Sequence, residues 1–180
     1  MKFNACTLNG AFILDLPAFK DERGVFSKCF QDSVFRSAGI DFVLRESYFS
    51  LSARDVIRGM HFQLPPHQHS KIVYCPQGAI LDVIVDLRRD SSTYGQCEAQ
   101  ELSAENHKAF YIPEGFAHGF RALTDDALTC YLVSSEYSRD HDTGIRYDSF
   151  GFDWQTETPL LSARDLSFDP LAAFVTRFDL

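Results

Sequence analysis

KIVYCPQGAILDVIVDL, residues 71 to 87, decides the fold class. In its second half Leu81, Val83, Val85 and Leu87 alternate with Ile80, Asp82, Ile84 and Asp86, the two-residue period of a half-buried β-strand. Pro76-Gln77-Gly78 is a turn signal between two such runs, so the spacing predicts a hairpin over 71–87. The pattern continues through KAFYI (108–112), GFRAL (119–123) and ALTCYLVSS (127–135), punctuated by Pro113-Glu114-Gly115 and Thr124-Asp125-Asp126. Many short strands at regular spacing predict a sandwich or double-sheet barrel. Helix signals are peripheral. DSVFRSAG reads as a short helix capped by Asp32 and closed by Gly39, and DPLAAFVTRF as a second one with Asp169 as N-cap and Pro170 at its first position.

The 180 residues are expected to form one domain, 1–180, large enough to hold a core without covalent staples. Seventeen Phe predict thick packing between sheets or a lined pocket. A net charge of −8 with no long basic run argues against nucleic acid and anionic membrane as partners. Five scattered cysteines without a C-x-x-C pair read as reduced, mostly buried thiols of a cytoplasmic protein. No signal-peptide core opens the chain, and no apolar run approaches membrane-spanning length.

HFQLPPHQHSK, residues 61 to 71, holds three of the six histidines and a lysine. As a metal site it offers His67-x-His69 and, later, His118 after Pro113-x-Gly115. The carboxylate that usually completes such a set is replaced by Val73 and Tyr74, and the Lys71 ammonium repels a cation at close range. A metal-dependent cupin oxygenase or isomerase is therefore the weaker reading, although a three-histidine site remains open.

With its flanks the stretch resembles the dTDP-4-dehydrorhamnose 3,5-epimerase family. The matching pieces are Asp21-Glu22-Arg23-Gly24, Arg58-Gly59-Met60-His61, DVIVDLRRDSSTYG at 82–95, ELSAEN at 101–106, IPEGFAHGF at 112–120, Tyr131 and Leu161-Ser162-Ala163-Arg164-Asp165. The resemblance runs along most of the chain, and the order of the pieces is specific. It implies a mainly β, cupin-type double-stranded β-helix (jelly roll) with short peripheral helices, usually a homodimer, working without metal or other cofactor. The implied substrate is a nucleotide diphosphate 4-keto-6-deoxyhexose, inverted at C3, C5 or both in deoxysugar biosynthesis for a surface polysaccharide, such as an O-antigen, or a glycosylated metabolite. A 3,4-ketoisomerase on the same substrate class is the nearest enzymatic alternative, and a non-catalytic sugar-nucleotide-binding barrel is a third class.

Carbons flanking a ketone are weak acids. Inverting one needs a base on one face, a cation or donor at the enolate oxygen and an acid on the other face. By resemblance, His61 is the base, Tyr131 the acid, Lys71 the group near the ketone and Asp165 the carboxylate that orients His61. On the residues alone, Ser162-x-x-Asp165 is also a capping box, and Asp82 and Asp86 are alternative buried partners for His61. Arg23 and Arg58 are expected at the diphosphate, Tyr137 near the nucleobase and His118 at the sugar or nucleotide. Glu46 and Gln63 complete the expected substrate-binding set. His67, His69, His107 and His141 carry no assigned role.

The chain departs from the family at Glu46-Ser47-Tyr48-Phe49-Ser50, where Q-D-N-H-S is common, at His69-Ser70-Lys71 and at Tyr131-Leu132. A carboxylate at 46 only accepts hydrogen bonds. These differences predict retained proton chemistry on an altered substrate: another nucleotide, or a single inverted carbon.

Overall fold

The computed structural model describes residues 1–179. Thirteen strands carry the fold among these residues. They are β1 (Lys2–Ala5), β2 (Phe12–Asp15), β3 (Ala18–Asp21), β4 (Gly24–Ser27), β5 (Glu46–Ser52), β6 (Ile57–Gln63) and β7 (Lys71–Gln77). After these come β8 (Ala79–Asp86), β9 (Cys97–Ser103), β10 (Lys108–Ile112), β11 (Phe116–Ala122), β12 (Ala127–Val133) and β13 (Asp142–Gly144). Six form one sheet in the order β1-β2-β10-β7-β12-β5. Five form a second, β13-β6-β11-β8-β9, and β3-β4 is a separate hairpin. The architecture is the cupin-type jelly roll that the sequence resembles.

The predicted hairpin over 71–87 is corrected here. β7 and β8 do not pair: β7 lies between β10 and β12 in one sheet, β8 between β11 and β9 in the other. Gly78, at φ 74°, makes the corner between the sheets, and a Cβ there would lie 2.3 Å from Thr124 Oγ1. A turn signal marks a reversal of direction equally well within a sheet or between two.

Nor is β8 half-buried. Ile80 and Ile84 pack between the sheets with Val73, Phe110, Phe120 and Tyr131. Val83, Val85 and Leu87 are equally buried on the outer face, beneath Trp154 and Phe178 of the C-terminal segment. The outer face of the six-stranded sheet is covered in the same way by Phe35, Ile40 and Phe42. Much of the phenylalanine content therefore serves two outer layers as well as the core between the sheets.

The helices are shorter than their signals suggest. α1 spans Asp32–Ser37, with Gln31 rather than Asp32 at the N-cap, and Gly39 follows at φ 78° as expected. Asp169-Pro170 introduces only a 3-10 turn, Leu171–Ala173. α2, Ala163–Leu166, is capped by Ser162, whose hydroxyl accepts from the Asp165 amide at 3.0 Å. No described helix is long and apolar enough to cross a membrane. All five cysteines are free, but only Cys75 is buried and the other four are half-buried.

Candidate active site

One end of the space between the sheets is polar, and strand register sets its rows. On the six-stranded wall, Val133 lies between Lys71 and Glu46, and the next inward row is Val73, Tyr131 and Tyr48. On the five-stranded wall His61 of β6 faces His118 of β11 as its direct partner. A cleft of about 290 Å³ opens between them, lined by Glu46, Tyr48, His61, Lys71, Tyr137 and Arg164 among others.

An irregularity in β6 aims His61 of this lining and its neighbour Arg58. The pairing of β6 with β11 shifts by one residue between His118↔His61 and Phe120↔Arg58. Positions 58 and 61 would face opposite sides of a regular strand, but the bulge turns both toward the six-stranded sheet, although Arg58 itself does not line the cleft. Arg58 Nε donates to Ser52 Oγ at 3.1 Å on the other wall, while His61 reaches the cleft. The close approach needs glycine at two positions. A Cβ on Gly59, at φ 153°, would stand 2.7 Å from Gly119 Cα, and one on Gly119 would stand 2.7 Å from the Arg58 carbonyl oxygen. This gives a physical reason for the glycines of R-G-x-H and A-H-G-F.

His61 Nε2 lies 2.7 Å from Asp165 Oδ1. That carboxylate also accepts from the Gly59 amide at 3.3 Å, and the imidazole and this amide together hold its pKa below the usual range against burial. An ionised Asp165 fixes the Nε2–H tautomer and leaves Nδ1 as the free acceptor. Ser162-x-x-Asp165 is thus both a helix cap and a carboxylate for His61. The alternatives have other partners. Asp82 pairs with His118 Nε2 at 2.8 Å, and Asp86 accepts from Arg88, Ser91 and Thr93.

Lys71 is buried, and its Nζ donates to the His61 carbonyl at 3.2 Å. Burial lowers its pKa to about 8, opposed by the charges of Asp82 and Asp142. Burial likewise pushes His118 down and Asp82 up, each resisted by the other. Tyr131 is 7% exposed, its ring stacked on Tyr48 at 4.6 Å and edge-on to His118 at 6.0 Å. Burial holds its hydroxyl well above the ordinary phenol range. His61 and Tyr131 therefore belong to the same compartment, on opposite walls.

The remaining expected residues divide. Tyr137, exposed, and Glu46 sit at the mouth, where Glu46 Oε2 accepts from the Tyr137 amide at 2.6 Å. Gln63 lines the cleft, but its amide is engaged elsewhere: it donates to the His67 carbonyl at 2.8 Å and accepts from the Ser138 amide at 2.6 Å, holding two loops. Arg23 is not brought to the cleft. It projects from the β3–β4 hairpin, paired with Asp21. His67, His69 and His118 do not converge. His67 stacks on His141, His69 Nδ1 meets Ser135 Oγ at 3.1 Å, and no group of three or more metal-binding side chains gathers among the described residues.

Several cleft residues had no role in the sequence reading, among them Tyr48, His69, Asp142 and Arg164. Tyr48 shares the alternation that places Glu46, and Arg164 adjoins Asp165, so both had a positional signal. His69, pushed down to about 3 chiefly by burial, had stood out only as half of His67-x-His69 in the metal reading and in the departure at 69–71.

A jelly roll whose cleft sets a carboxylate-braced imidazole against a wall of phenols, with a buried lysine between, belongs to the carbohydrate epimerases. The model of dTDP-4-dehydrorhamnose 3,5-epimerase matches residues 5–173. The chain is 39% identical over 175 residues to a dTDP-4-dehydrorhamnose 3,5-epimerase of Methanothermobacter thermautotrophicus, covering 94% of each. It is 38% identical over 168 residues to a dTDP-4-dehydrorhamnose 3-epimerase of Streptomyces niveus, covering 92% of this chain and 81% of the relative. Among solved structures it is similar to the dTDP-6-deoxy-D-glucose-3,5-epimerase of Legionella pneumophila in complex with dTDP-4-keto-L-rhamnose. That match has a TM-score of 0.92 at 31% identity, and covers 97% of this chain and 94% of the other. The chain belongs to the dTDP-4-dehydrorhamnose 3,5-epimerase family and is an isomerase acting on nucleotide-diphosphate keto-deoxysugars.

Proposed function

We propose that the protein inverts one or both carbons flanking the ketone of a dTDP-4-keto-6-deoxyhexose by proton transfer through His61 and a phenol on the opposite wall. The observation that carries this reading is the His61–Asp165 contact at 2.7 Å, facing a cleft lined on the far wall by Tyr48, with Tyr131 stacked against it. His61 Nδ1 takes the carbon-bound proton, and the electron pair moves into the enolate. The Lys71 ammonium stabilises the oxygen, and Tyr131 returns a proton to the other face. Arg58 and Arg164 supply positive charge for the diphosphate, and Tyr137 at the mouth suits a nucleobase. The relatives' names support dTDP, and they include both a 3,5- and a 3-epimerase, so the number of inverted carbons is the property to measure.

The reading extends to a cytoplasmic homodimer of one-domain chains. β5 is an edge strand with Phe49 and Leu51 exposed outward, and Phe19, Val25 and Phe26 of the β3–β4 hairpin are exposed as well. An uncovered strand edge beside apolar side chains favours a second copy. Arg23 reaches a diphosphate only if the hairpin of one copy crosses to the cleft of the other.

The test is His61→Asn with dTDP-4-keto-6-deoxyglucose, product stereochemistry being followed by proton NMR. Turnover falls by about 10²–10⁴ on this reading. Undiminished turnover by a folded variant would exclude His61 as the base.

A further inference from the structure

Tyr48 and Tyr131 are direct cross-strand partners, and their rings stack at 4.6 Å with 20° between planes. They are not equivalent toward the cleft. Tyr48 lines it together with His61 and is 41% exposed, whereas Tyr131 is 7% exposed and lies behind Tyr48. β5, which carries Tyr48, is in the six-stranded sheet, while β6, which carries His61, is in the five-stranded one. A sugar ring in the cleft therefore has the imidazole on one side and the Tyr48 phenol on the other. The Tyr48 hydroxyl has no hydrogen-bond partner in the protein among the described residues, so it is free to donate to a substrate. Burial and the neighbouring Glu46 carboxylate raise its pKa to about 12, which keeps it protonated at any working pH.

We propose that Tyr48 is a second catalytic phenol, delivering a proton to the enolate from the wall opposite His61 at one or both of the carbons this protein inverts. The inference rests on the epimerase reading above and moves some or all of the acid's work from Tyr131 to the phenol stacked on it. In the step, the substrate C–H bond breaks and its proton goes to His61 Nδ1. The pair forms the enolate, the Tyr48 O–H bond breaks, and a new C–H bond forms on the opposite face. The phenolate then regains a proton from solvent as the imidazolium loses one, so nothing is oxidised or reduced.

Tyr48→Phe keeps the stacked ring and removes only the hydroxyl. Wild type and variant are incubated with dTDP-4-keto-6-deoxyglucose in D₂O, and deuterium uptake and inversion are read separately at C3 and C5. An enolate without its opposite-face acid is reprotonated by His61 from the original face. The variant should therefore retain exchange but lose inversion about 10²-fold at one carbon or more that the wild type inverts. A change in substrate binding alone would slow both together and leave their ratio fixed. An unchanged ratio of inversion to exchange at every carbon would overturn the inference and leave the His61 reading standing. No exchange in the wild type would instead sink the epimerase reading itself.

Discussion

His61 has one nitrogen held by Asp165 and one turned to the cleft, and that asymmetry generates testable consequences. Asp165→Ala removes the acceptor for both the imidazole and the Gly59 amide. Leaving those donors unpaired should cost about 1–3 kcal/mol in urea unfolding, with kcat reduced far more than KM changes. Lys71 adds a pH signature. Its folded pKa of about 8 lies below the ordinary 10.5, so the ammonium proposed for the enolate oxygen is lost as pH rises through about 8. The kcat profile should fall there, and Lys71→Met should lower the plateau and erase that limb. The same shift works against folding below about pH 8, a cost relieved as pH rises from there toward 10.5. The meeting of His61 and Asp165 was legible because both sit in motifs whose order is specific, whereas Lys71 reaches the cleft from a segment where the chain departs from the family. Tyr48 was visible as a departure two residues from Glu46, but its pairing with Tyr131 was not, since one phenol stacking on another is a property of strand register.

Strands were legible one at a time and misleading in pairs. The alternation in AILDVIVDL located β8 correctly, as ALTCYLVSS located β12, because a two-residue period follows directly from backbone geometry. Which strand pairs with which is a non-local property, and the supposed 71–87 hairpin is a corner between sheets. The bulge in β6 was equally hidden, although its glycines were on view. Gly119→Ala tests that account: the added methyl meets the Arg58 carbonyl and Met60 sulfur at 2.7 Å. It should destabilise the fold by about 1–3 kcal/mol in urea unfolding, with activity reduced further because Arg58 and His61 are re-aimed.

At the scale of the whole molecule, pattern was enough for a mainly β sandwich or double-sheet barrel with peripheral helices. They did not show that C-terminal and N-terminal segments would seal both outer faces, because a buried outer face reads like any apolar run. The exposed β3–β4 hairpin and edge strand β5 predict that sedimentation equilibrium will give twice the 20.4 kDa of the chain. Phe19→Asp combined with Phe26→Asp should shift it toward the single-chain mass. If Arg23 serves the cleft of the other copy, that variant should also bind nucleotide more weakly.

The chemistry proposed for this cleft is the removal of hydrogen from carbon beside a carbonyl. The most direct measurement is proton NMR of dTDP-4-keto-6-deoxyglucose incubated with the protein in D₂O. Loss of the C3–H signal, the C5–H signal or both is expected, at a rate His61→Asn reduces at least about 10²-fold. Full retention of both signals, with this nucleotide and with its CDP, UDP and GDP counterparts, would contradict it.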